Sequence, residues 1–180
     1  KNKSSLGLSG TPIFQNDVIY LLDSDGIVKS YHLQAKKAIL LWQSKIATKD
    51  KFYYSGGLTL HHNTLLVTDG SNMVAAIDCR NGHIKWHKQF SSYFRKAPLI
   101  IANNILLQSA NNSIFYLKSN NGEVIWNKFN NNDEIQAFST NSVGNDKTIV
   151  ASDSIGGIKA INSSDGSNIW SLDPLNLEVR

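Results

Sequence analysis

The stretch that decides the fold is "IDCRNGHIKW", Ile77–Trp86. Its frame returns as "LKSNNGEVIW" at Leu117–Trp126 and as "INSSDGSNIW" at Ile161–Trp170. In each copy Gly follows the leading apolar residue by five positions, and Trp follows Gly by four. A weaker copy, "LQAKKAILLW" at Leu33–Trp42, carries Ala38 where the others carry Gly82, Gly122 and Gly166. The four segments contain every tryptophan of the chain (Trp42, Trp86, Trp126 and Trp170), at intervals of 44, 40 and 44 residues. A period of roughly 40–45 residues belongs to propeller blades or to helical-pair solenoids.

Local chemistry decides between the two. A short apolar run precedes each decamer: "VIYLL" (Val18–Leu22), "TLLV" (Thr64–Val67), "NILL" (Asn104–Leu107) and "TIVA" (Thr148–Ala151). These runs have strand length and strand punctuation, and they lack the alternation of a sheet wetted on one side. The decamer itself reads as two strands joined by a tight Asn-Gly or Asp-Gly turn, with Ala38 marking either a different turn or some accepted strain in the first copy. A fourth strand is expected ahead of each run, at "TPIF" (Thr11–Phe14), "GLTL" (Gly57–Leu60), "APLI" (Ala97–Ile100) and "AFST" (Ala137–Thr140). No stretch holds helical apolar spacing over three turns. The expected architecture is all-β: one partial β-propeller over residues 1–180, with four-stranded antiparallel blades near 11–46, 56–90, 96–129 and 136–172. Gly permits the last hairpin, and Trp is expected to wedge between neighbouring blades. A buried indole removes about 150–250 Å² from water.

Composition narrows the function classes. The chain has 180 residues, 41% hydrophobic and 18% charged, with a net charge of +4. That suits a folded domain with a sizeable core. The basic residues are scattered, with no run longer than Lys36-Lys37 or Arg95-Lys96, which argues against nucleic-acid binding. One cysteine, Cys79, rules out an internal disulfide and any multi-cysteine zinc site. No apolar run reaches the length of a helical membrane span. The opening "KNKSSLGLSG" has no Met and no signal-like apolar core, so the expectation is a processed chain or an excised piece.

The decamer frame resembles the blade signature of pyrroloquinoline-quinone-type propellers, A-x-D-x-x-x-G-x-x-x-W. "AAIDCRNGHIKW" (Ala75–Trp86) fits with Asp78 in place, whereas Lys118 and Asn162 replace that Asp in later copies. Within that superfamily, three passages resemble the BamB family of outer-membrane β-barrel assembly lipoproteins: "GTPIFQNDVIYLLDSDGIVKSYHL", "GGLTLHHNTLLVTDGSNMVAAID" and "FRKAPLIIANNILLQSANNSIFYL". The Gly56-Gly57 opening of blade two and the Arg95, Ala97, Pro98 opening of blade three carry the likeness. The resemblance implies an eight-bladed ring, of which four blades make half. Either residues beyond this chain complete it or two copies do; the first reading is favoured.

Sites of chemistry are sparse. His83 and His87 lie four apart on a strand, roughly 13 Å, too far to share a metal. His61 and His62 are adjacent and are expected on opposite faces. Asp25, Asp69 and Asp153, with Ser109 in blade three, read as one repeated turn position that caps its own backbone; a carboxylate ring around calcium is the alternative. Cys79 has no recurring His partner and reads as a packed or partly exposed thiol. No catalytic residue, metal ligand or cofactor site is assigned.

Function is therefore expected in loops on one propeller face. The resemblance points to the pair before Ala97-Pro98 as a dock for the central, BamA-like barrel-assembly subunit. The matching residues are Phe94 and Arg95, with Tyr93 beside them. The implied protein is a non-enzymatic scaffold, periplasmic and tied to the outer membrane by a lipid on an upstream cysteine. It would also receive unfolded outer-membrane precursors by strand addition at an edge. Two alternatives stay open: a fragment of a quinone-dependent dehydrogenase, whose adjacent cysteine pair is missing here, and a propeller sensor domain.

Overall fold

The structure is a computed structural model, and it describes residues 7–46, 56–129, 142–152 and 156–172. Apolar runs punctuated by Gly, Asn and Asp become sixteen strands among the described residues, with no helix. The strands are β1 (Ile13–Gln15), β2 (Val18–Leu22), β3 (Ile27–Gln34), β4 (Lys37–Lys45), β5 (Gly57–His61), β6 (Thr64–Thr68), β7 (Met73–Asp78) and β8 (Ile84–Gln89). They continue with β9 (Leu99–Ile101), β10 (Asn104–Gln108), β11 (Ile114–Lys118), β12 (Val124–Lys128), β13 (Ser142–Gly144), β14 (Thr148–Ser152), β15 (Ile158–Asn162) and β16 (Asn168–Leu172). Consecutive strands pair antiparallel in four sheets of four, the blade pattern of a propeller. The strand expected at "AFST" (Ala137–Thr140) lies outside the described residues; the first described strand of the fourth sheet is β13.

The chain divides into two units, Lys1–Pro98 and Leu99–Arg180. In the first, the sheets β1–β4 and β5–β8 share a core of Tyr20, Leu22, Val28, Trp42 and Ile46 with Leu58, Leu65, Val67, Ala75 and Ile77. In the second, the sheets β9–β12 and β13–β16 share a core of Ile101, Leu106, Ile114, Tyr116 and Trp126 with Ile149, Ala151 and Ile161. The runs read as doubly covered strands are buried along most of β6 and β10.

The decamer turn differs from a two-residue hairpin. The Gly82 N–H donates to the Asp78 carbonyl at 2.9 Å, and the Asp78 N–H donates to the His83 carbonyl at 2.8 Å. Gly122 and Gly166 repeat the first bond, with Lys118 and Asn162 as acceptors. Only Gly takes positive φ here (75°, 70° and 74°). The residue before it contributes its side chain instead: Asn81, Asn121 and Asp165 each accept the backbone N–H two residues on. The motif Asp has the same kind of task. Asp78 accepts the Arg80 N–H at 3.0 Å, and Asn162 accepts the Ser164 N–H at 2.9 Å. The Lys118 side chain cannot accept, and pairs across the turn with Glu123 at 2.8 Å.

Two of the four indoles show what the repeat is for. In the first unit, Trp42 lies against the β7–β8 turn, and its Nε1–H donates to the Cys79 carbonyl at 2.8 Å. A Cβ on Gly82 would stand 2.6 Å from that ring, so the position needs Gly for the approach as well as for φ. Beside it, the Ser44 hydroxyl donates to the Gly82 carbonyl. In the second unit, Trp126 donates to the Ser163 carbonyl at 2.8 Å, and a Cβ on Gly166 would stand 2.8 Å from the ring. Each indole thus seats on the glycine hairpin of the next sheet within its unit. Trp86 is half-buried. Trp170 departs from the expected wedge: it is 46% exposed, on a β16 that is exposed throughout, and no later sheet follows among the described residues.

Of the two readings of Ala38, the first sheet takes the different turn. β3 and β4 join through two residues, Ala35 and Lys36, with Gln34 opposite Lys37. In all four sheets the register of the last strand pair shifts once, at Ser30/Tyr31, Ala76/Ile77, Tyr116/Leu117 and Ala160/Ile161.

Candidate functional site

The site is built on blade two of the first unit, from the β6–β7 turn and the loop that leaves β8. Asp69 organises the turn. Its Oδ1 accepts the N–H of Ser71 at 2.8 Å and of Met73 at 3.2 Å, while the Ser71 hydroxyl donates back to the carboxylate at 2.7 Å. The equivalent position in blade one is Asp23, not Asp25 as the sequence spacing suggests. Asp23 accepts the N–H of Asp25 and Ile27, and its own N–H bonds the residue four on, as in Asp69 and Ser109. Asp153 lies outside the described residues. Oδ1 of Asp23 and of Asp69 caps the turn backbone, while Oδ2 of Asp23 pairs with the Lys29 ammonium at 2.8 Å and Oδ2 of Asp69 takes the Ser71 hydroxyl.

The turn then holds the loop. The carbonyls of Ser71 and Asn72 accept the N–H of Phe94 at 2.7 Å and of Phe90 at 2.9 Å. Phe94 is buried at 1% exposure and meets the Phe90 ring edge-to-face at 5.2 Å, with the Lys88 ammonium 5.9 Å from the Phe90 centroid. The far end of the loop is tied down as well. The Thr68 hydroxyl donates to the Lys96 carbonyl at 2.6 Å and the Thr59 hydroxyl to the Pro98 carbonyl. Ala97 comes so close to Gly57 that a Cβ there would sit 2.5 Å from the Ala97 nitrogen. The Gly56-Gly57 opening is therefore where the loop backbone closes onto β5.

Of the three loop residues named from the sequence, Phe94 thus points inward as the anchor. Tyr93, at 51% exposure, and Arg95, half-buried, are presented on either side of it. Burial depresses the Lys96 ammonium below its ordinary value. The arrangement places a half-exposed aromatic ring and a half-buried guanidinium on a backbone fixed at both ends.

Other candidate groups do not converge on it. Cys79 lies in the β7–β8 turn beneath Trp42. Burial pushes its thiol up to about 11, with the Tyr20 hydroxyl as hydrogen-bond partner, and burial pushes Tyr20 itself up to about 12. A thiol held protonated is a poor nucleophile. Asp78 is held well below the usual carboxylate range by the Arg80 guanidinium, whose Nη2 lies 2.6 Å away. His61 and His62 do not face opposite sides. His62 sits in the β5–β6 turn at φ 50°, which brings the two rings to 4.2 Å, and burial with the neighbouring imidazole lowers His61. Among the described residues no three His, Cys, Asp or Glu side chains gather where a metal could be held.

Against known families, the model described as outer membrane protein assembly factor BamB matches residues 32–174. The chain belongs to the BamB family. An uncharacterized protein of Rickettsia conorii is 29% identical over 173 residues, which is 94% of this chain and 41% of that protein. BamB of Legionella pneumophila is 27% identical over 134 residues, covering 67% of this chain and 32% of that one. The crystal structure of Moraxella catarrhalis BamB superposes with a TM-score of 0.72 at 19% identity, over 90% of this chain and 48% of that one. A europium-containing methanol dehydrogenase superposes with a TM-score of 0.69 at 12% identity, over 93% of this chain and 42% of that one. Both structures share the fold with the BamB-family chain. The chain spans about two fifths of the length of the first relatives it matches.

Proposed function

We propose that this chain is part of a periplasmic, non-enzymatic scaffold of outer-membrane β-barrel protein assembly, and that it docks the central barrel-assembly subunit through the loop 91–98. BamB-family membership supports the setting. The observation that carries the docking role is the division of labour in the loop: Phe94 is sunk and hydrogen-bonded, Tyr93 is half exposed, and Arg95 lies half-buried beside it with its Nε covered. A partner that covers Tyr93 and offers a carboxylate to Arg95 meets a surface with little ordering entropy left to lose. Unfolded outer-membrane proteins are the proposed clients, and attachment to the membrane is through an upstream lipid.

The test is co-purification of the barrel-assembly subunit with Arg95→Glu and Tyr93→Ala variants, each verified by circular dichroism. Arg95→Glu should weaken capture by at least about tenfold, the scale of a hot-spot residue. Unchanged capture by both folded variants removes the loop from the interface.

The methanol dehydrogenase likeness keeps one second reading in play, a quinone-dependent oxidoreductase. Incubation with pyrroloquinoline quinone and calcium, followed by dye reduction, separates the two. Turnover would overturn the scaffold reading.

A further inference from the structure

The four last strands of the sheets are not alike. Beyond the shared register shift, β8, β12 and β16 each continue for one paired residue: Ile84, Val124 and Asn168. β4 continues for four, Lys37 to Leu40, opposite Gln34 to Tyr31. It is nine residues long, against six, five and five. Proteins usually blunt such edges by keeping them short or polar. β4 is long, and between its terminal lysines the exposed stretch is apolar: Ile39, Leu40 and Leu41 are 43%, 47% and 50% exposed and Leu33 across the hairpin is 37% exposed.

Ile39 and Leu40 are adjacent on a regular strand and point to opposite faces. Ile39 shares a face with Trp42, through the partners His32 and Ser30, and that face is the one covered by blade two. It is exposed all the same, so the distal hairpin overhangs its neighbour. A sheet stacked on the other face would cover Leu40 and leave Ile39 bare. Side-by-side pairing along β4 reaches both faces at once. β4 is the terminal strand of its sheet, and no strand pairs with its outer edge among the described residues.

We infer that β4 is a strand-addition site for an extended, acidic-flanked apolar segment of another protein. Charge selects the occupant. No Asp or Glu occurs from Gly26 to Lys49, whereas Lys36, Lys37 and Lys45 bracket the apolar stretch. A second copy is a poor partner. Antiparallel self-pairing centred on Leu41 sets Lys37 against the other Lys45, and parallel pairing sets each lysine beside its twin; like charges directly opposite destabilise a ladder. An incoming strand with an apolar centre and carboxylates at its ends satisfies the backbone, both apolar faces and the lysines. That the natural segment comes from an outer-membrane precursor rests on the proposed scaffold role; the strand addition itself does not.

The probe is a fluorescein-labelled peptide of about ten residues, with alternating Val and Ile at the centre and two Glu at each end. Anisotropy titration should show saturable binding. The same peptide N-methylated at alternate amides, and the Leu40→Lys variant with an unchanged circular dichroism spectrum, should each bind at least about tenfold more weakly. Amide exchange at residues 38–41 should slow when peptide is added. Failure to saturate at the solubility limit, or equal binding of the N-methylated peptide, overturns the inference. So does sedimentation showing a dimer that Leu40→Lys dissolves, because the occupant would then be a second copy. Leu40→Lys should leave barrel-subunit capture intact, so the failure of this site and of the Arg95 loop are read separately.

Discussion

The two indole seats, Trp42 on Gly82 and Trp126 on Gly166, use one backbone device with different surroundings. The indole N–H finds a main-chain carbonyl at 2.8 Å in both, from Cys79 in one and Ser163 in the other. In both, a glycine hydrogen faces the ring. Behind the ring they part. Tyr116 stacks on Trp126 at 5.2 Å and 29°, and its hydroxyl donates to the Ile101 carbonyl at 2.8 Å. Tyr20 lies tilted at 6.0 Å from Trp42 and engages the Cys79 thiol. The seat therefore depends on an exposed carbonyl and a missing Cβ, which Cys and Ser supply equally well. The backing side chains tune it, and only the first unit's backing can titrate through a thiol.

The largest expected effect comes from emptying the seats. Trp42→Ala and Trp126→Ala should each destabilise their unit by about 3–5 kcal/mol in urea titrations, the usual range for a buried Trp. Trp170→Ala, from the exposed β16, should stay within about 1 kcal/mol. Equal losses at Trp126 and Trp170 would break the comparison.

Next come the glycines. Gly82→Ala and Gly166→Ala should each cost about 2–3 kcal/mol, because a strained φ adds to a clash with the ring. In a Trp42→Ala background the clash with the ring is gone, and Gly82→Ala should fall to about 1 kcal/mol, the share owed to φ and to the Ser44 hydroxyl 2.9 Å from the new Cβ. Additive losses in that double-mutant cycle would mean that ring and turn are not coupled.

The smallest effect separates the two seats by pH. The Cys79 thiol rises from 9.0 to about 11 on folding, so the folded unit holds this proton more tightly than the unfolded chain does. Its contribution is intact below pH 9 and is lost as the pH climbs to about 11. The urea midpoint of the first unit should fall over that window, and Cys79→Ser should flatten the decline below pH 10, above which the buried Tyr20 hydroxyl, pushed up to about 12, adds a fall of its own. Ser163 offers no titrating side chain at the matching place in the second unit. A decline of equal size in Cys79→Ser would assign it elsewhere.

Much of the fold was legible because the signals are local. The four apolar runs became β2, β6, β10 and β14 almost residue for residue, and Ala38 announced a departure at the turn of the first sheet. The candidate site was legible only as a segment. Nothing in "SSYFRKAP" says that Phe94 turns inward, since that follows from the Ser71 carbonyl and the Phe90 ring, brought together from the β6–β7 turn and the residue after β8. The misplaced turn position, Asp25 for Asp23, has a similar cause. Both carboxylates sit in one Asp-Ser-Asp-Gly turn, and only the hydrogen bonds show which one faces the backbone.

The sequence by itself determined the period, the four-stranded unit and the glycine-to-tryptophan spacing, because turn chemistry and strand pattern act over a few neighbouring residues. Tertiary structure alone decided which carbonyl each indole meets, that Trp170 stays half exposed, and that β4 runs on past its neighbours with apolar side chains on both faces. Those outcomes depend on what lies across a gap between sheets. A main-chain carbonyl or an uncovered strand edge looks the same in every residue until the chain has folded around it.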